Sequence, residues 1–211
     1  MLHIGHLREG IVGDMMTKLH TICIIPARAG SKRLPGKNSM LFNGKSLITR
    51  KVEQALRLHC FNAVVVSTDD TVCMEMALNA GAMVLPRPDH LATDTASTEA
   101  VVEHVLDTLS DDDFTHVIVL QVTSPCVQDD DLHIAYGSLM GISPNVIATD
   151  EQGQPNGAFY GIKTELFRLH QSLDTIERTS YHMPNRRSID IDTIEDFQRA
   201  ELIAAEMELL R

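Results

Sequence analysis

The chain has 211 residues, 44% of them hydrophobic, which is enough for one sizeable α/β domain but not for two full domains. Its 29 acidic and 18 basic side chains give a net charge of -11, which disfavours a general surface for nucleic acid or an anionic membrane. The four cysteines form no CxxC pair, and no apolar stretch reaches the roughly 18 residues of a membrane span. These features argue against a disulfide framework and a cysteine zinc site, and they favour a soluble protein of a reducing cytoplasm.

The first twenty residues, 1–20, have weak helical periodicity and precede the first strongly apolar run. No internal repeat, low-complexity tract or linker divides the rest of the chain. We therefore predict an N-terminal extension over residues 1–20 and a single domain over residues 21–211.

Beyond residue 20, short apolar runs alternate with helical patterns. The apolar runs are TICIIP, AVVVS, AMVL, HVIVLQ and NVIAT, and the helical patterns cover about 46–59, 70–80, 97–109 and 129–140. Strands that are apolar on both faces predict an α/β fold with a mostly parallel, twisted sheet flanked by helices. Ligands bind outside the carboxyl ends of the strands in such sheets, so the polar residues after each run are candidate site residues.

The first apolar run leads into a basic loop, CIIPARAGSKRLPGKN, over residues 23–38. Its four cations are Arg28, Lys32, Arg33 and Lys37. Gly30 is expected to let backbone amides approach a ligand, and a polyphosphate needs such donors together with arginine and lysine charge. The spacing fits neither a Walker A loop nor GxGxxG, and a solvated basic turn is the alternative interpretation.

A second candidate site is the segment SIDIDTIED, residues 188–196. Alternation along a strand would place Asp190 and Asp192 on one side and the neighbouring isoleucines on the other. Two carboxylates on one face repel each other unless a cation lies beside them, and their hard oxygens suit Mg²⁺ completed by phosphate oxygens and water. A helix start is the alternative interpretation, because Thr193 and Asp196 have the spacing of a capping pair, and both roles can hold together.

Several motifs together resemble the cytidylyltransferases that activate sialic acid and related nine-carbon acidic sugars, the CMP-nonulosonate synthetases. The motifs IIPARAGSKRLPGKN, VVVSTDD, RPDHLATDTAST, LQVTSP, NGAFY and SIDIDTIEDFQRAE occur in the family's order over most of residues 21–206. The resemblance implies a Rossmann-like nucleotidyltransferase with a GT-A-like three-layer sandwich. It also implies transfer of CMP from CTP to the anomeric hydroxyl of the sugar acid, with release of pyrophosphate and with Mg²⁺ as the cofactor.

The resemblance assigns roles to individual residues. The implied catalytic residues are Arg28, Lys37, Asp190 and Asp192, and the two aspartates also hold the metal. The implied nucleotide-binding residues are Ala27, Arg28, Gly30, Ser31, Lys32, Lys37, Asn38, Arg87, Ser97, Thr98 and Gln121. The implied sugar-binding residues are Gln121, Asn156 and Tyr160. Structural roles stay open for several of them: Arg87 as a surface charge, Ser97 and Thr98 as helix caps, Gln121 as a polar strand end, and Tyr160 as a core residue.

The chain also departs from the family's pattern. LQVTSPCV stands where the family carries LQPTSPLR, so a proline and an arginine are missing. Only six residues, none of them Lys or Arg, separate Thr149 from Asn156, where the family carries an insertion that supplies dimer contacts and a basic clamp for the sugar carboxylate. We therefore expect a complete nucleotide half and a reduced sugar half, in which Arg186 or Arg187 grips the carboxylate. A monomer or a non-standard homodimer is expected for the same reason.

Three functional interpretations follow. The first is an enzyme that joins CTP to a nonulosonate or a related sugar acid, and the second is a CMP-Kdo-like or other nucleotide-sugar pyrophosphorylase. The third is a non-catalytic CTP-binding paralogue. Lys37 and the two aspartates favour an enzyme, because catalytic charges buried without purpose would only cost stability. No side chain stands out as the general base for the attacking hydroxyl.

Overall fold

The structure is a computed structural model that describes residues 20–109 and 114–209. The predicted extension over residues 1–20 lies outside the described residues, apart from His20. The strands are β1 (Thr21–Pro26), β2 (Leu41–Phe42), β3 (Lys45–Ser46), β4 (Ala63–Thr68), β5 (Met83–Pro86), β6 (His116–Leu120), β7 (Asn145–Thr149), β8 (Pro155–Lys163) and β9 (Arg178–His182). The helices are α1 (Leu47–Arg57), α2 (Thr71–Asn79), α3 (Thr98–Thr108), α4 (Asp129–Met140), α5 (Thr164–His170) and α6 (Ile194–Leu209).

Within the described residues, seven strands form one sheet in the order β5-β4-β1-β6-β8-β7-β9. The pairs β5-β4, β4-β1, β1-β6 and β7-β9 are parallel, whereas β8 runs antiparallel to both of its neighbours. Strands β2 and β3 form a small separate hairpin. The prediction of a mostly parallel sheet is therefore confirmed, with one reversed strand inside it.

Both faces of the sheet are covered by helices. Alternate residues of β1 point to opposite sides: Cys23 and Ile25 belong to the cluster that includes α1, α2, α4 and α6, and Ile22 and Ile24 belong to the cluster that includes α3 and α5. All four of these side chains are fully buried. This two-sided burial explains why the strand sequences are apolar throughout instead of alternating.

The central part of the domain follows the sequence prediction closely, and the later part does not. The apolar runs and helical patterns up to residue 149 match the observed elements to within one or two residues at each end. Strands β8 and β9 and helix α5 were not predicted. Strand β9 reads RTSYH and lies at the sheet edge. Its residues are exposed or only partly buried, so it carries no apolar pattern to detect.

Several helix starts follow local sequence rules. The side chains of Ser46, Asp70 and Ser97 accept hydrogen bonds from backbone amides in the first turns of α1, α2 and α3. The amide of Asp196 donates to Thr193 Oγ1 at 3.2 Å, and the amide of Thr193 donates to Asp196 Oδ2 at 2.9 Å, so the predicted capping pair begins α6. None of the helices in residues 20–109 and 114–209 combines the length and the apolar composition that crossing a bilayer requires.

Candidate functional site

A cavity of about 510 Å³ opens where the parallel strands β1, β5 and β6 end. The predicted residues that line it are Arg28, Ser31, Lys32, Lys37, Asn38, Arg87, Ser97, Thr98, Gln121 and Asp192. These positions are spread over more than 160 residues of sequence, yet the fold brings them to one place. The reason is topological, because parallel strands present all their carboxyl ends, and the loops that follow them, at the same edge of the sheet.

The lining of this cavity is strongly cationic. Five basic side chains face two carboxylates; the cations are Arg28, Lys32, Arg33, Lys37 and Arg87, and the carboxylates are Asp94 and Asp192. The chain as a whole carries a charge of -11, so this concentration of positive charge opposes the general composition. A concave site of this charge attracts a polyanion.

Asp94 pairs with two of the loop cations. Arg28 donates through Nη1 to Asp94 Oδ1 at 2.6 Å, and Lys32 forms an ion pair with the other carboxylate oxygen. The hydrogen bonds from Lys32 and Arg28 hold the pKa of Asp94 below its ordinary value. The Asp94 carboxylate therefore binds two cations that an anionic ligand would also contact.

Asp192 pairs with the other two loop cations. Lys37 Nζ lies 3.2 Å from Asp192 Oδ1 and donates to the backbone oxygen of Ile191 at 2.7 Å, and Arg33 Nη2 lies 2.7 Å from Asp192 Oδ2. The Lys37 side chain is only 14% exposed, whereas the Arg33 side chain is 66% exposed. Lys37 thus fixes the basic loop to the segment before α6, although the two lie more than 150 residues apart in sequence.

Arg87 is a buried residue of the cavity wall and not a surface charge. It is 7% exposed, its Nη2 donates to the backbone oxygen of Ser67 at 2.8 Å, and its Nε donates to Ser67 Oγ at 3.3 Å. Burial lowers the pKa of Arg87 to about 10, a shift that the neighbouring Asp69 opposes and Arg28 reinforces. The guanidinium stays charged at neutral pH and is held in a fixed orientation.

The basic loop is shaped by specific contacts. Asn38 Nδ2 donates to the backbone oxygen of Arg28 at 3.1 Å, and Asp69 Oδ1 accepts from the amide of Ala29 at 2.9 Å. Gly36 has φ +67°, in the left-handed region that favours glycine. At Gly30 φ is not positive, and a side chain there would meet the Arg28 guanidinium, which lies 3.3 Å from the position of an added Cβ. Gly30 therefore leaves room for that cation.

Ala27 holds the start of the basic loop through backbone hydrogen bonds. It is buried in the core and does not line the cavity; its amide donates to the Ser67 oxygen at 2.9 Å. Its own backbone oxygen accepts from Thr68 Oγ1 at 2.5 Å. These bonds fix the point at which the chain leaves β1, so Ala27 positions the loop and does not contribute a surface of its own.

Helix α3 directs its N-terminus at the cavity. Ser97 caps this helix by accepting from the amide of Ala100 at 3.1 Å, and both Ser97 and Thr98 line the cavity. The predicted alternatives of capping and ligand contact are therefore compatible for Ser97. The free amides and the positive end of the helix dipole add to the attraction for a negative ligand.

The two predicted metal aspartates lie beside the cavity in an irregular segment. The segment is not a strand of the sheet, contrary to the prediction, because its attachment is the single backbone bond from Ile191 N to Thr123 O at 2.8 Å. The predicted alternation is nevertheless present: Ile189 and Ile191 are buried, whereas Asp190 is exposed and Asp192 is partly exposed. Asp192 lines the cavity; Asp190 does not, but it is hydrogen-bonded with Thr123, which does.

Electrostatics around Asp190 favour a cation. Although Asp190 keeps solvent-accessible surface, desolvation by surrounding protein atoms raises its pKa; hydrogen bonding with Thr123 opposes the shift, and the charge of Asp192 adds to it. Within the described residues, no group of three or more histidine, cysteine or acidic side chains lies together as a metal site. Two hard carboxylates beside a polyanion cavity fit Mg²⁺, which commonly takes one or two carboxylates and fills its shell with phosphate oxygens and water.

The predicted sugar-binding residues are less well assembled. Gln121 lines the cavity, but Asn156 bonds instead to Ser188 Oγ at 3.1 Å and to the amide of Ala158 at 3.0 Å. Tyr160 packs against the core cluster on the α3 side, and burial raises its pKa, with Glu99, Asp174 and Asp190 adding to the shift. Asn156 therefore contacts the start of the aspartate segment, and neither Asn156 nor Tyr160 lines the cavity.

Neither arginine suggested for the sugar carboxylate lines the cavity. Arg186 is paired with Glu206 of α6, and Arg187 lies 3.2 Å from Asp131, a fully buried carboxylate that also accepts from the Tyr181 hydroxyl at 2.8 Å. Both side chains fasten the chain before the aspartates to neighbouring helices. The prediction for Arg186 is not supported by this placement, because Arg186 pairs with Glu206 and does not line the cavity.

The short connection after β7 is a tight hairpin. The amide of Asp150 donates to the oxygen of Gln154 at 2.8 Å, Asp150 Oδ1 accepts from the amides of Gln152 and Gln154, and Gly153 has φ +79°. Strand β8 then returns directly along β7, with Thr149 opposite Pro155. The connection between β7 and β8 is therefore short and contains no inserted segment, as the sequence predicted.

Three polar residues of the cavity wall received no individual role from the sequence. Asp94, Arg33 and Thr123 all line it, but none was given a role of its own. Asp94 lies inside TDTAST, Arg33 inside the basic loop and Thr123 inside LQVTSP, so each belonged to a motif that had been noticed. The missing information was which side chain of each motif faces inward, and that depends on the folded loop.

Comparisons with known proteins agree with this geometry. A cytidylyltransferase family model matches residues 22–141, which is more than half of the chain. The chain is 41% identical over 121 residues to a pseudaminic acid cytidylyltransferase of Campylobacter jejuni, a match that covers 56% of this chain and 52% of the relative. It is 29% identical over 214 residues to an N-acylneuraminate cytidylyltransferase of Streptococcus agalactiae, covering 83% of this chain and 51% of the relative.

The chain thus spans about half the length of the curated relatives it matches. Among solved structures, CMP:2-keto-3-deoxy-manno-octonic acid synthetase complexed with CTP superposes with a TM-score of 0.69 at 16% identity, covering 89% of this chain and 99% of that one. This likeness shows the fold alone. The family match ends at residue 141, so it includes the basic loop and Gln121 but not the aspartate pair.

Proposed function

The chain belongs to the cytidylyltransferase family, with CMP-nonulosonate synthetases among its relatives, and from that premise we propose that it transfers CMP from CTP to an acidic sugar and releases pyrophosphate. The acceptor is the anomeric hydroxyl of a nonulosonate or a related sugar acid. The observation that carries the proposal is the cavity in which five cations face two carboxylates, at the carboxyl edge of the sheet. A nucleoside triphosphate is the family substrate that matches this charge.

Transfer of CMP makes one bond and breaks one bond. The hydroxyl oxygen of the sugar attacks the α-phosphorus, the bond from that phosphorus to the bridging oxygen breaks, and pyrophosphate leaves with the bonding electron pair. Negative charge therefore grows on the leaving group as the reaction proceeds. Cations fixed around it stabilise the transition state more than the ground state, which is what accelerates a reaction.

Within this reaction the cavity residues have distinct tasks. Arg28 and Lys32 contact the triphosphate on the Asp94 side, and Lys37 contacts it on the Asp192 side. Arg87 is held rigidly by its bonds to Ser67, so its charge needs no reorganisation during the reaction. Ser97, Thr98 and the first amides of α3 complete the donors for the phosphates.

Asp190 and Asp192 would hold Mg²⁺, which when bound neutralises phosphate charge and orients the triphosphate. The raised pKa of Asp190 is consistent with this role, since a carboxylate destabilised by its surroundings and its neighbour gains from an added cation. Lys37 and Arg33 serve as counter-charges for Asp192 without the metal. No side chain of the cavity is assigned as the base that accepts the proton of the hydroxyl.

We place the sugar acid on the Asp192 side of the cavity, near Gln121. The tight β7-β8 hairpin contains no Lys or Arg, so the basic clamp that the family resemblance implies at this point is not supplied there, and the acid is held differently in our proposal. A Kdo-like acid is consistent with the same site, and we treat it as the second candidate acceptor.

The test is pyrophosphate release by the 211-residue chain from CTP and Mg²⁺, with sialic, legionaminic and pseudaminic acids and Kdo as separate acceptors. We expect release with one of these acids, and its loss in Asp192→Ala. Asp174→Ala is the matched control, because Asp174 is also a partly exposed carboxylate in an ion pair, with Arg178, but lies outside this cavity. CTP binding without release for every acid would reject the enzyme in favour of a non-catalytic nucleotide-binding protein.

A further inference from the structure

Helix α1 carries two polar side chains on the side that it buries. Lys51 is 3% exposed and Gln54 is 8% exposed, one helical turn apart, whereas their buried neighbours Leu47, Ile48 and Val52 are apolar. A buried ammonium group costs free energy unless it is well compensated. Packing of α1 against the sheet would be served by apolar side chains alone, so these two residues need another explanation.

Both side chains bind the same irregular segment, residues 121–128, which connects β6 to α4. Lys51 Nζ donates to the backbone oxygen of Ser124 at 3.0 Å, and Gln54 Nε2 donates to that of Val127 at 2.8 Å. Lys51 also donates to Gln54 Oε1 at 2.9 Å, which ties the two donors together. The segment is therefore fastened from behind by two cross-linked side chains of one rigid helix.

The opposite side of the same segment forms the candidate site. Gln121 and Thr123 line the cavity, and the Thr123 oxygen accepts the bond from Ile191 N that attaches the aspartate segment. Ser124, which Lys51 holds, is the next residue after Thr123. A displacement of Ser124 would move Thr123 and, through Ile191, the two aspartates on either side of it.

We propose that Lys51, supported by Gln54, is a positioning residue for CMP transfer: it holds Ser124, and through Thr123 and Ile191 it sets the position of the aspartate pair. This inference rests on the proposed function for its kinetic consequences, but the positioning itself is a property of the protein without substrate. Lys51 does not touch the reactants and acts only through the segment that it holds.

The protonation of Lys51 gives the proposal a distinctive signature. Burial lowers the pKa of Lys51 to about 8. The charged or titratable groups around it are Cys23, Cys126, Arg50 and Asp129, and burial raises the pKa of both thiols, that of Cys126 to about 11. Lys51 is therefore the group of this set that changes charge near pH 8, and the neutral amine is a weaker donor than the ammonium.

The experiment compares wild type with Lys51→Met, Lys51→Arg and Glu53→Ala. Glu53 lies on the same helix in an exposed ion pair with Lys45, so its variant is a matched control that leaves the segment untouched. In Lys51→Met we expect kcat to fall by about tenfold or more, with KM for CTP changed by less than about threefold, because misplaced catalytic groups slow the chemical step. A decline of wild-type kcat above pH 8 should disappear in Lys51→Met, and Lys51→Arg should recover part of the rate without that decline.

A second readout needs no activity. The amide of Ile191 should exchange its hydrogen about tenfold faster in Lys51→Met than in wild type or Glu53→Ala, in the absence of substrate. Unchanged exchange together with an unchanged pH profile would overturn the proposal, as would a fall in kcat accompanied only by a lower melting temperature. If the wild-type chain transfers CMP to no acid, the proposed function fails, and the exchange rate at Ile191 alone decides whether Lys51 positions the segment.

Discussion

Replacement of Lys37 by methionine tests the account of the cavity at the cation that joins the basic loop to the aspartate segment. Methionine keeps most of the volume of the side chain and removes the charge. The change abolishes the bond from Nζ to the Ile191 oxygen at 2.7 Å and the contact with Asp192 at 3.2 Å. It also removes one of the five cations that line the cavity. Both stability and catalysis should therefore change, by amounts that can be compared.

The expected loss of stability is small. The side chain is 14% exposed, and a hydrogen bond from a charged donor contributes about 1.5–3 kcal/mol, so after allowance for partial solvation we expect a loss of about 1–2 kcal/mol. The catalytic loss should be larger. Removing one positioned donor from a developing negative charge costs about 10²–10³ in kcat, or about 3–4 kcal/mol of barrier. Arg33→Met is the internal comparison, because the same carboxylate is contacted by a side chain that is 66% exposed; its stability should change by less than about 1 kcal/mol.

The assay measures pyrophosphate release under saturating CTP and sugar acid, together with urea unfolding of each variant. A kcat for Lys37→Met within about threefold of wild type would refute the assignment of Lys37 to the leaving group, because a cation acting in the transition state cannot be removed at so small a cost. A stability loss that exceeds the catalytic loss would show that Lys37 serves mainly to join the basic loop to the aspartate segment.

Three further predictions concern charge and backbone conformation. The raised pKa of Asp190 makes the folded state bind a proton more readily than the unfolded chain, so the free energy of unfolding falls as pH rises above the ordinary aspartate pKa. Asp190→Asn should therefore raise the melting temperature at pH 7 but not at pH 3. Equal gains at both pH values would contradict this reasoning. Gly36→Ala should lower the free energy of unfolding by about 1 kcal/mol, because Gly36 has a positive φ. Gly137→Ala should raise it by about 0.5–1 kcal/mol, because Gly137 lies inside α4 with open space for a Cβ. Urea midpoints of the two variants that shift in the same direction would count against the conformational argument. Asp94→Asn should lower KM for CTP by about two- to fivefold, since it frees two cations from an exposed ion pair, and a higher KM would mean that Asp94 orders these cations instead of competing for them.

The sequence predicted the strands up to residue 149 and the residues that meet at their carboxyl ends, and the reasons are physical. Strands such as Thr21–Pro26 and His116–Leu120 are buried on both faces, and a continuous apolar run is a strong signal. Parallel strands then bring the polar residues that follow them to one edge, which is why positions as distant as Arg28 and Gln121 could be assigned to one site.

The elements after residue 149 and the contacts of the aspartate segment could not be predicted in the same way. Strand β9 is a polar edge strand without an apolar pattern. The aspartate segment alternates as a strand would, but it is held by one backbone bond instead of a ladder, so its pattern predicted a strand that does not form. The partner of Arg186 is Glu206, twenty residues away on α6, and a pairing between residues so far apart in sequence has no local signal. Asp94 was not predicted because a carboxylate is not expected in a cavity lined mainly by cations. Its ion pairs with Arg28 and Lys32 account for its place there.

The most direct test follows the α-phosphate itself. The chain is incubated with Mg²⁺, a sugar acid from the panel and CTP that carries a radioactive label on its α-phosphate, and the products are separated by anion-exchange chromatography. The account predicts that the label moves into a CMP-sugar for one of the acids and stays in CTP with Asp192→Ala. Label that remains in CTP for every acid, or that appears only in free CMP, would contradict transfer to a sugar hydroxyl in this cavity.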